Sequence, residues 1–227
     1  MPRVCVFDVN ETLLDLRALD PLFQRAFGDA AVRQQWFSQF INNAFVATIT
    51  DRYQPFGAIG AAALDMIAAR RGRTLTVDDR SAILSGMRSL PAHVDVRPAL
   101  ERLRDAGVRL AALTNSTAEV AVAQLTHAGL ADLFEKILSA DAMRRLKPAP
   151  EAYRYAAREL GVHVGQVRLI AAHAWDIAGA LCAGCAAAFV ARPGMVLDPL
   201  AERPDVVGAD MGHVAEQIIV AEGLAQS

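Results

Sequence analysis

Val4-Cys5-Val6-Phe7-Asp8-Val9-Asn10-Glu11-Thr12-Leu13 is the stretch on which the fold turns. Apolar and β-branched residues run into Asp8 and then into polar turn-formers, the pattern of a buried strand ending in a loop. In an open parallel α/β sheet the ligand crevice lies just outside the carboxyl ends of the strands. A carboxylate at that place faces a ligand while a rigid element holds it. Taken alone, Asp8 reads more simply as a helix or turn cap; three later segments alter the balance.

Outward from this strand the pattern divides. From about Leu16 to Leu90 apolar residues recur at three- and four-residue spacing, which predicts helices over Arg17–Phe27, Ala30–Thr50, Phe56–Arg71 and Val77–Ser89. From about Asp95 strands and helices alternate. Strands are predicted at Val108–Leu113, Lys136–Ser139, Val167–Ala172, Ala186–Ala191 and Asp205–Val207, and helices at Pro98–Ala106, Ala118–Ala128, Glu151–Leu160, Ile177–Ala183 and Met211–Glu222. Gly107, Gly129, Gly161 and Gly184 follow four of these helices, where a left-handed residue is expected. The expected fold is α/β: a doubly wound parallel, Rossmann-like sheet with an all-helical cap inserted after the first strand. Residues 1–15 and 91–227 are expected to form the core domain and 16–90 the cap. Because the insertion begins just after Asp8, it should sit over the strand ends and keep water from a reaction there.

The three later segments all end predicted strands or open helices. In Leu110-Ala111-Ala112-Leu113-Thr114-Asn115-Ser116, Ser116 or Thr117 suffices to cap the next helix, which leaves Thr114 and Asn115 for a ligand. In Leu146-Lys147-Pro148-Ala149-Pro150, followed by Tyr153, two prolines stiffen the loop that carries Lys147. A lone lysine is usually solvated, but one fixed at such a crossing can neutralise a carboxylate. In Ala171-Ala172-His173-Ala174-Trp175-Asp176, Trp175 reads equally as core and Asp176 as a favourable helix start. Four polar clusters aimed at one sheet edge are far harder to explain as coincidence than any one alone.

Bulk properties narrow the class. Apolar residues make up 53% of the 227, enough for a sizeable core, and the net charge of −2 with scattered Lys and Arg predicts neither a nucleic-acid nor a membrane partner. The cysteines Cys5, Cys182 and Cys185 make no disulfide framework, and the single C-x-x-C lacks a second pair for zinc; Cys182 and Cys185 read as small buried core residues. The start, Met1-Pro2-Arg3, leads straight into the first strand, and the longest apolar run, Ile177 to Ala191, is too short for a membrane span, so a soluble cytoplasmic protein is expected.

In order, FDxNxTLLD, LTNS, KPxPExY and HAWD resemble the motifs of the haloacid dehalogenase superfamily, and within it those of the type II (S)-2-haloacid dehalogenases, over essentially the whole chain. The resemblance implies a nucleophilic Asp8, a hydroxyl at Thr114, a lysine at Lys147 and an acidic residue at Asp176. It places Tyr153 in support of the lysine and nucleophile, Trp175 in the pocket wall and Asn115 at the leaving halide. The implied reaction is hydrolytic dehalogenation of small 2-haloalkanoic acids through an aspartyl ester. No metal or other cofactor is implied, and a homodimer through the cap is.

Departures from the family pattern carry their own expectations. Asn10 stands where the dehalogenases have tyrosine, and Ala171 and His173 where they resemble S-x-N-A-W-D. Asn42 aligns with the cap arginine that cradles halide, with Arg33 or Arg52 as substitutes; Asn10 and Asn42 are therefore substrate- or halide-binding candidates. His173 has two readings, a hydrogen-bonded histidine filling the asparagine site or a general base for the ester-splitting water. His93, His127, His163 and His213 are read as surface or structural, without partners. The first alternative function is a phosphatase using Mg²⁺, disfavoured because Asn10 replaces its acidic general acid and only Asp176 remains at the fourth motif. The second is a non-catalytic member that binds an anion or a partner.

Overall fold

The computed structural model describes residues 2–224. In chain order the elements are β1 (Val4–Phe7), α1 (Asp20–Phe27), α2 (Val32–Ile49), α3 (Phe56–Arg70), α4 (Val77–Gly86), α5 (Val96–Asp105), β2 (Leu110–Thr114), α6 (Ala118–His127), β3 (Lys136–Ser139), α7 (Pro150–Glu159), β4 (Val167–Ala171), α8 (Ala174–Ala183), β5 (Ala186–Val190), β6 (Val206–Gly208) and α9 (Met211–Ala221).

The six strands form one parallel sheet in the order β3-β2-β1-β4-β5-β6. β1, β2 and β4 are buried along their whole length, as parallel strands covered on both faces must be. Alternate residues feed two cores. Cys5 and Phe7 pack with α5, α6 and α9 through Leu100, Leu125 and Ile218; Val4 and Val6 pack with α7 and α8 through Ala156 and Ile177. The chain winds from β1 out through β2 to β3, then crosses back to β4 on the other side of β1. Strand order therefore reverses beside β1, and Asp8 sits at its carboxyl end, where such folds bind ligands.

Helices α1 to α4 lie between β1 and β2. The chain leaves and re-enters the sheet layer along paired segments: Leu14 bridges Ala92 antiparallel, His93 N–H donates to Leu13 O at 2.9 Å, and Asp15 N–H to Pro91 O at 2.9 Å. This tie fixes where the helical segment stands relative to Asp8.

The boundaries show where side chains override periodicity. The first helix is preceded by a 3-10 turn, Leu16–Leu19, whose Arg17 N–H is accepted by the Asp15 side chain. A 3-10 turn at Met87–Ser89 follows α4. α8 starts three residues before the expected Ile177, so Trp175 and Asp176 lie in its first turn rather than in a loop. Gly107, Gly129, Gly161 and Gly184 adopt φ of 82°, 67°, 68° and 96°, the left-handed geometry predicted for them. Cys5 and Cys185 are buried and their thiols are pushed up to about 12 by desolvation, but Cys182 is exposed, contrary to its expected core placement, because it falls on the outer face of α8. No helix among the described residues is long and apolar enough to cross a membrane.

Candidate active site

Lys147 is the centre of the charged cluster. Its side chain is 1% exposed, and Nζ donates to Asp8 Oδ1 at 2.9 Å, Asp176 Oδ2 at 2.6 Å and Leu113 O at 3.0 Å. All three ammonium protons are thus used. Burial alone would lower the Lys147 pKa, but the carboxylates of Asp176 and Asp8 raise it above its usual value. The loop that presents it is held by Asn115, whose Oδ1 accepts Lys147 N–H at 2.7 Å while Nδ2 donates to Lys147 O at 3.2 Å. The Asn115 amide thus spans the lysine backbone, which leaves one of its amide protons for a ligand.

Asp8 is buried at the end of β1, with its N–H bonded to Ile170 O at 3.0 Å. Oδ2 accepts from Thr12 Oγ1 at 2.6 Å, and Thr12 Oγ1 in turn accepts Ala172 N–H at 2.9 Å, a clamp between the first and fourth motifs. Burial pushes the Asp8 pKa up, yet Lys147, His173 and Thr12 together hold it well below the usual carboxylate range. Asp176 behaves differently. It is wholly buried, and desolvation together with the charge of Asp8 keeps its pKa above the usual value against the pull of Lys147 and Tyr153. Tyr153 Oη donates to Asp176 Oδ1 at 2.5 Å, so both Asp176 oxygens are taken.

Around these groups lies a cavity of about 10 Å³, lined by Asp8, Asn10, Thr114, Lys147, His173 and Trp175 with Phe37, Ile41 and Phe56 from the helical segment. That is about the room one water needs. Thr114 is buried there, its Oγ1 accepting Ser116 N–H at 3.2 Å. The Asn10 oxygen accepts from Gln124 Nε2 at 3.0 Å, which turns the Asn10 amide protons away from α6.

His173 Nε2 lies 2.9 Å from Glu11 Oε2, and Nδ1 lies 3.5 Å from Asp8 Oδ2 without forming a hydrogen bond. The ring stacks on the half-buried Trp175, centroids 5.1 Å apart. Burial lowers its pKa, but the two carboxylates raise it to about 9, so the ring is an imidazolium at neutral pH. Glu11 adopts φ of 62°, a left-handed conformation costing a non-glycine residue roughly 1–2 kcal/mol.

Of the sequence candidates, Asp8, Asn10, Thr114, Asn115, Lys147, Trp175 and His173 line one cavity, with Tyr153 and Asp176 directly behind Lys147. Asn42 is not brought there. It is exposed on the outer face of α2, in a surface groove with Gln39 and Arg70, because the helix turns Phe37 and Ile41 inward instead. No arginine lines the Asp8 cavity among the described residues. Arg52 is exposed, and Arg33 is buried behind Glu11, at 3.7 Å, and bonded to Asp20 at 2.5 Å. His93 is not partnerless as expected; its Nε2 lies 3.3 Å from Glu11 O, since the paired entry and exit segments bring it there. Glu11, Thr12, Gln124 and Phe37 were not singled out from sequence. Only Thr12 carried a signal, as the hydroxyl four residues after Asp8 in the first motif.

Gly179 in α8 shows how closely this machinery is packed. A Cβ there would lie 2.6 Å from Pro148 Cβ and 2.7 Å from both Pro148 O and Tyr153 Oη. Gly179→Ala is expected to destabilise the protein by about 1–3 kcal/mol, read from the urea midpoint, and to lower turnover by displacing the Lys147 loop.

Known proteins resemble this chain in sequence and in fold. The (S)-2-haloacid dehalogenase 4A of Burkholderia cepacia is 30% identical to this chain over 184 residues, 78% of either chain. The (S)-2-haloacid dehalogenase 2 of Pseudomonas sp. (strain CBS-3) is 28% identical over 207 residues, 90% of either. The solved structure of the L-2-haloacid dehalogenase from Xanthobacter autotrophicus superposes with a TM-score of 0.89 at 25% identity, covering 97% of this chain and 99% of that one. The family profile described as haloacid dehalogenase-like hydrolase matches residues 2–184, from the strand that presents Asp8 through the helix that presents Asp176, and the chain belongs to that family of hydrolases.

Proposed function

We propose that this hydrolase releases halide from small (S)-2-haloalkanoic acids through an ester on Asp8. The observation that carries the reading is the state of the two buried carboxylates. Asp8 is kept ionised by Lys147 and faces the cavity, as a nucleophile must. Asp176 has both oxygens bonded, to Lys147 and Tyr153, and so orients the lysine rather than meeting water or a cation. The names of the relatives at 28% and 30% identity point the same way. Thr114, the remaining Asn115 amide proton and the Asn10 amide are the polar groups facing a substrate carboxylate or halide. With room for about one water, the cavity admits substrate once residues 16–90, acting as a cap, move Phe37, Ile41 and Phe56 away.

The residues present do not fit the Mg²⁺ of the phosphatase alternative. The ammonium of Lys147 stands between the two carboxylates, and the Asn10 oxygen is turned to Gln124. The test is halide release from (S)-2-chloropropionate run beside phosphate release from a small phosphate ester, each with and without EDTA. Halide release indifferent to EDTA is expected; Mg²⁺-dependent phosphate release, or neither activity from folded protein, would overturn the reading. Asn10→Asp is expected to leave phosphate release at background, because one added carboxylate still leaves a cation short of oxygen ligands. The same resemblance supports a cytoplasmic homodimer, to be checked by sedimentation velocity.

A further inference from the structure

Two larger hollows border the Asp8 cavity, each behind one phenylalanine. Phe37 is shared between that cavity and a crevice of about 360 Å³ walled by Asp15, Arg17, Arg33 and Arg192. Phe56 is shared between it and a hollow of about 240 Å³, which lies between the helical segment and α6 and is walled by Trp36, Phe40, Leu84, Met87 and Val120. The second hollow suits hydrocarbon. The Trp36 indole N–H is already given to Gly60 O at 2.9 Å, and Arg88 in the wall is paired with Glu119. Phe56 is placed to act as a partition. It is the first residue of α3, so no preceding helical turn hinders rotation of its side chain. Its ring packs on Phe40, centroids 4.1 Å apart. Phe40 in turn comes this near α3 because Gly60 has no side chain; a Cβ there would lie 2.6 Å from Phe40 Cε1.

The α-carbon of a 2-haloacid carries a carboxylate, a halogen, a hydrogen and a side chain. Thr114, Asn115 and Asn10 are the polar groups for the first two. With room for about one water, the Asp8 cavity has no space for a side chain longer than methyl. A longer chain must therefore leave past Phe37 or past Phe56. Past Phe37 it would take water from four charged side chains and give them no partner in return. Past Phe56 it would meet carbon, in a space that at about 30 Å³ for each water-sized group holds several methylenes.

We propose that the hollow behind Phe56 binds the alkyl side chain of the substrate, that Phe56 gates it, and that the preferred substrates are (S)-2-haloacids with an unbranched apolar side chain longer than methyl. The proposal rests on the dehalogenation reading above and names the substrate class within it. The side chain takes no part in the reaction at the α-carbon. It is held equally before and during attack by Asp8, so its burial lowers KM more than it raises kcat.

Chloride release from the (S)-2-chloro derivatives of propionate, butanoate, pentanoate and hexanoate tests it, with (S)-2-chloroadipate as a chain of similar length that ends in charge. From butanoate to hexanoate kcat/KM is expected to rise about fourfold for each methylene, chiefly through KM. The adipate derivative is expected to fall about tenfold or more below the hexanoate. Val120→Phe adds a ring in the wall of the hollow, on α6 and outside the Asp8 cavity. It is expected to lower the hexanoate-to-propionate ratio of kcat/KM by about tenfold. A flat or falling wild-type series, or an unmoved ratio in Val120→Phe, overturns the proposal. So does a preference for the adipate, which would put the chain in the charged crevice past Phe37, and so does an equal loss on every acid in Val120→Phe, which would make the hollow an entry path. In each of these cases chloride release from propionate by the wild type keeps the dehalogenation reading. Should Val120→Phe not fold, the wild-type series and the adipate comparison decide. A wild-type protein that releases chloride from none of the acids removes the dehalogenation reading, and the proposal with it.

Discussion

Asp8→Asn is expected to abolish halide release, by on the order of 10⁴-fold or more, while the fold remains in place. An amide nitrogen is a poor nucleophile and the amide oxygen carries no full charge, so no ester forms. The replacement is close in shape, and Lys147 keeps its bonds to Asp176 and Leu113 O. What changes locally is that the amide can offer only one oxygen, whereas Asp8 now accepts from Lys147 on one side and Thr12 on the other. A stability loss of about 1–3 kcal/mol is expected from the bond that goes unmet. Chloride release, circular dichroism and the intact mass are to be measured together, the last to exclude deamidation back to aspartate. Turnover near the wild-type rate at the unreverted mass would remove Asp8 from the chemistry.

Lys147→Met should damage both activity and stability. Methionine nearly matches the lysine in length but supplies none of the three hydrogen bonds now made by Nζ. Two carboxylates would be left buried with the ammonium between them gone, and breaking a buried ion pair this way costs about 3–5 kcal/mol. Asp8 then has a higher pKa and is less ionised at neutral pH. Halide release is expected to fall by about 10²–10³ or more, with its acidic limb moved to higher pH. The stability sign follows from the same shift. Because the folded Asp8 pKa is depressed, its contribution is present above the ordinary pKa of 3.8 and is lost only as pH falls through the lower folded value. The variant should therefore unfold at less acid pH than the wild type in a urea-midpoint series. A variant with unchanged midpoint and unchanged pH profile would show that Lys147 does not set the state of Asp8.

Much of the architecture was legible because strong local patterns agreed with the global fold. Fully apolar strands such as Val4–Phe7 and Val167–Ala171 have nowhere to go but a sheet covered on both faces. Glycines at 107, 129, 161 and 184 mark helix ends because only a residue without Cβ turns left-handed at little cost. Polar residues where apolar strands end or helices begin place Asp8, Thr114, Lys147, His173 and Asp176 at one edge of the sheet. The start of α8 is not legible in the sequence because Ala174-Trp175-Asp176 reads as well in a loop as in a first helical turn; the bond from Asp176 N–H to His173 O at 3.1 Å decides it.

The helical segment is the least legible part of the sequence. An alignment through α2 slides easily, since apolar residues at helical spacing match in more than one register. The register that aligns Asn42 with a halide-binding arginine leaves it on the outer face of α2, with Phe37 and Ile41 turned inward. Glu11 carries no local mark of its left-handed backbone, and its meeting with His173 spans 162 residues of sequence.

The sequence by itself determined the strand–helix order, the strand ends that carry polar groups and the residue types available for chemistry, because these depend on periodicity and turn propensity within a few residues. Only the tertiary structure decided the charges. Asp8 is ionised, Asp176 is turned wholly to Lys147 and Tyr153, and His173 is cationic between Asp8 and Glu11. A protonation state is set by burial and by charges a few ångströms away, and those neighbours come from segments that only the folded chain brings together.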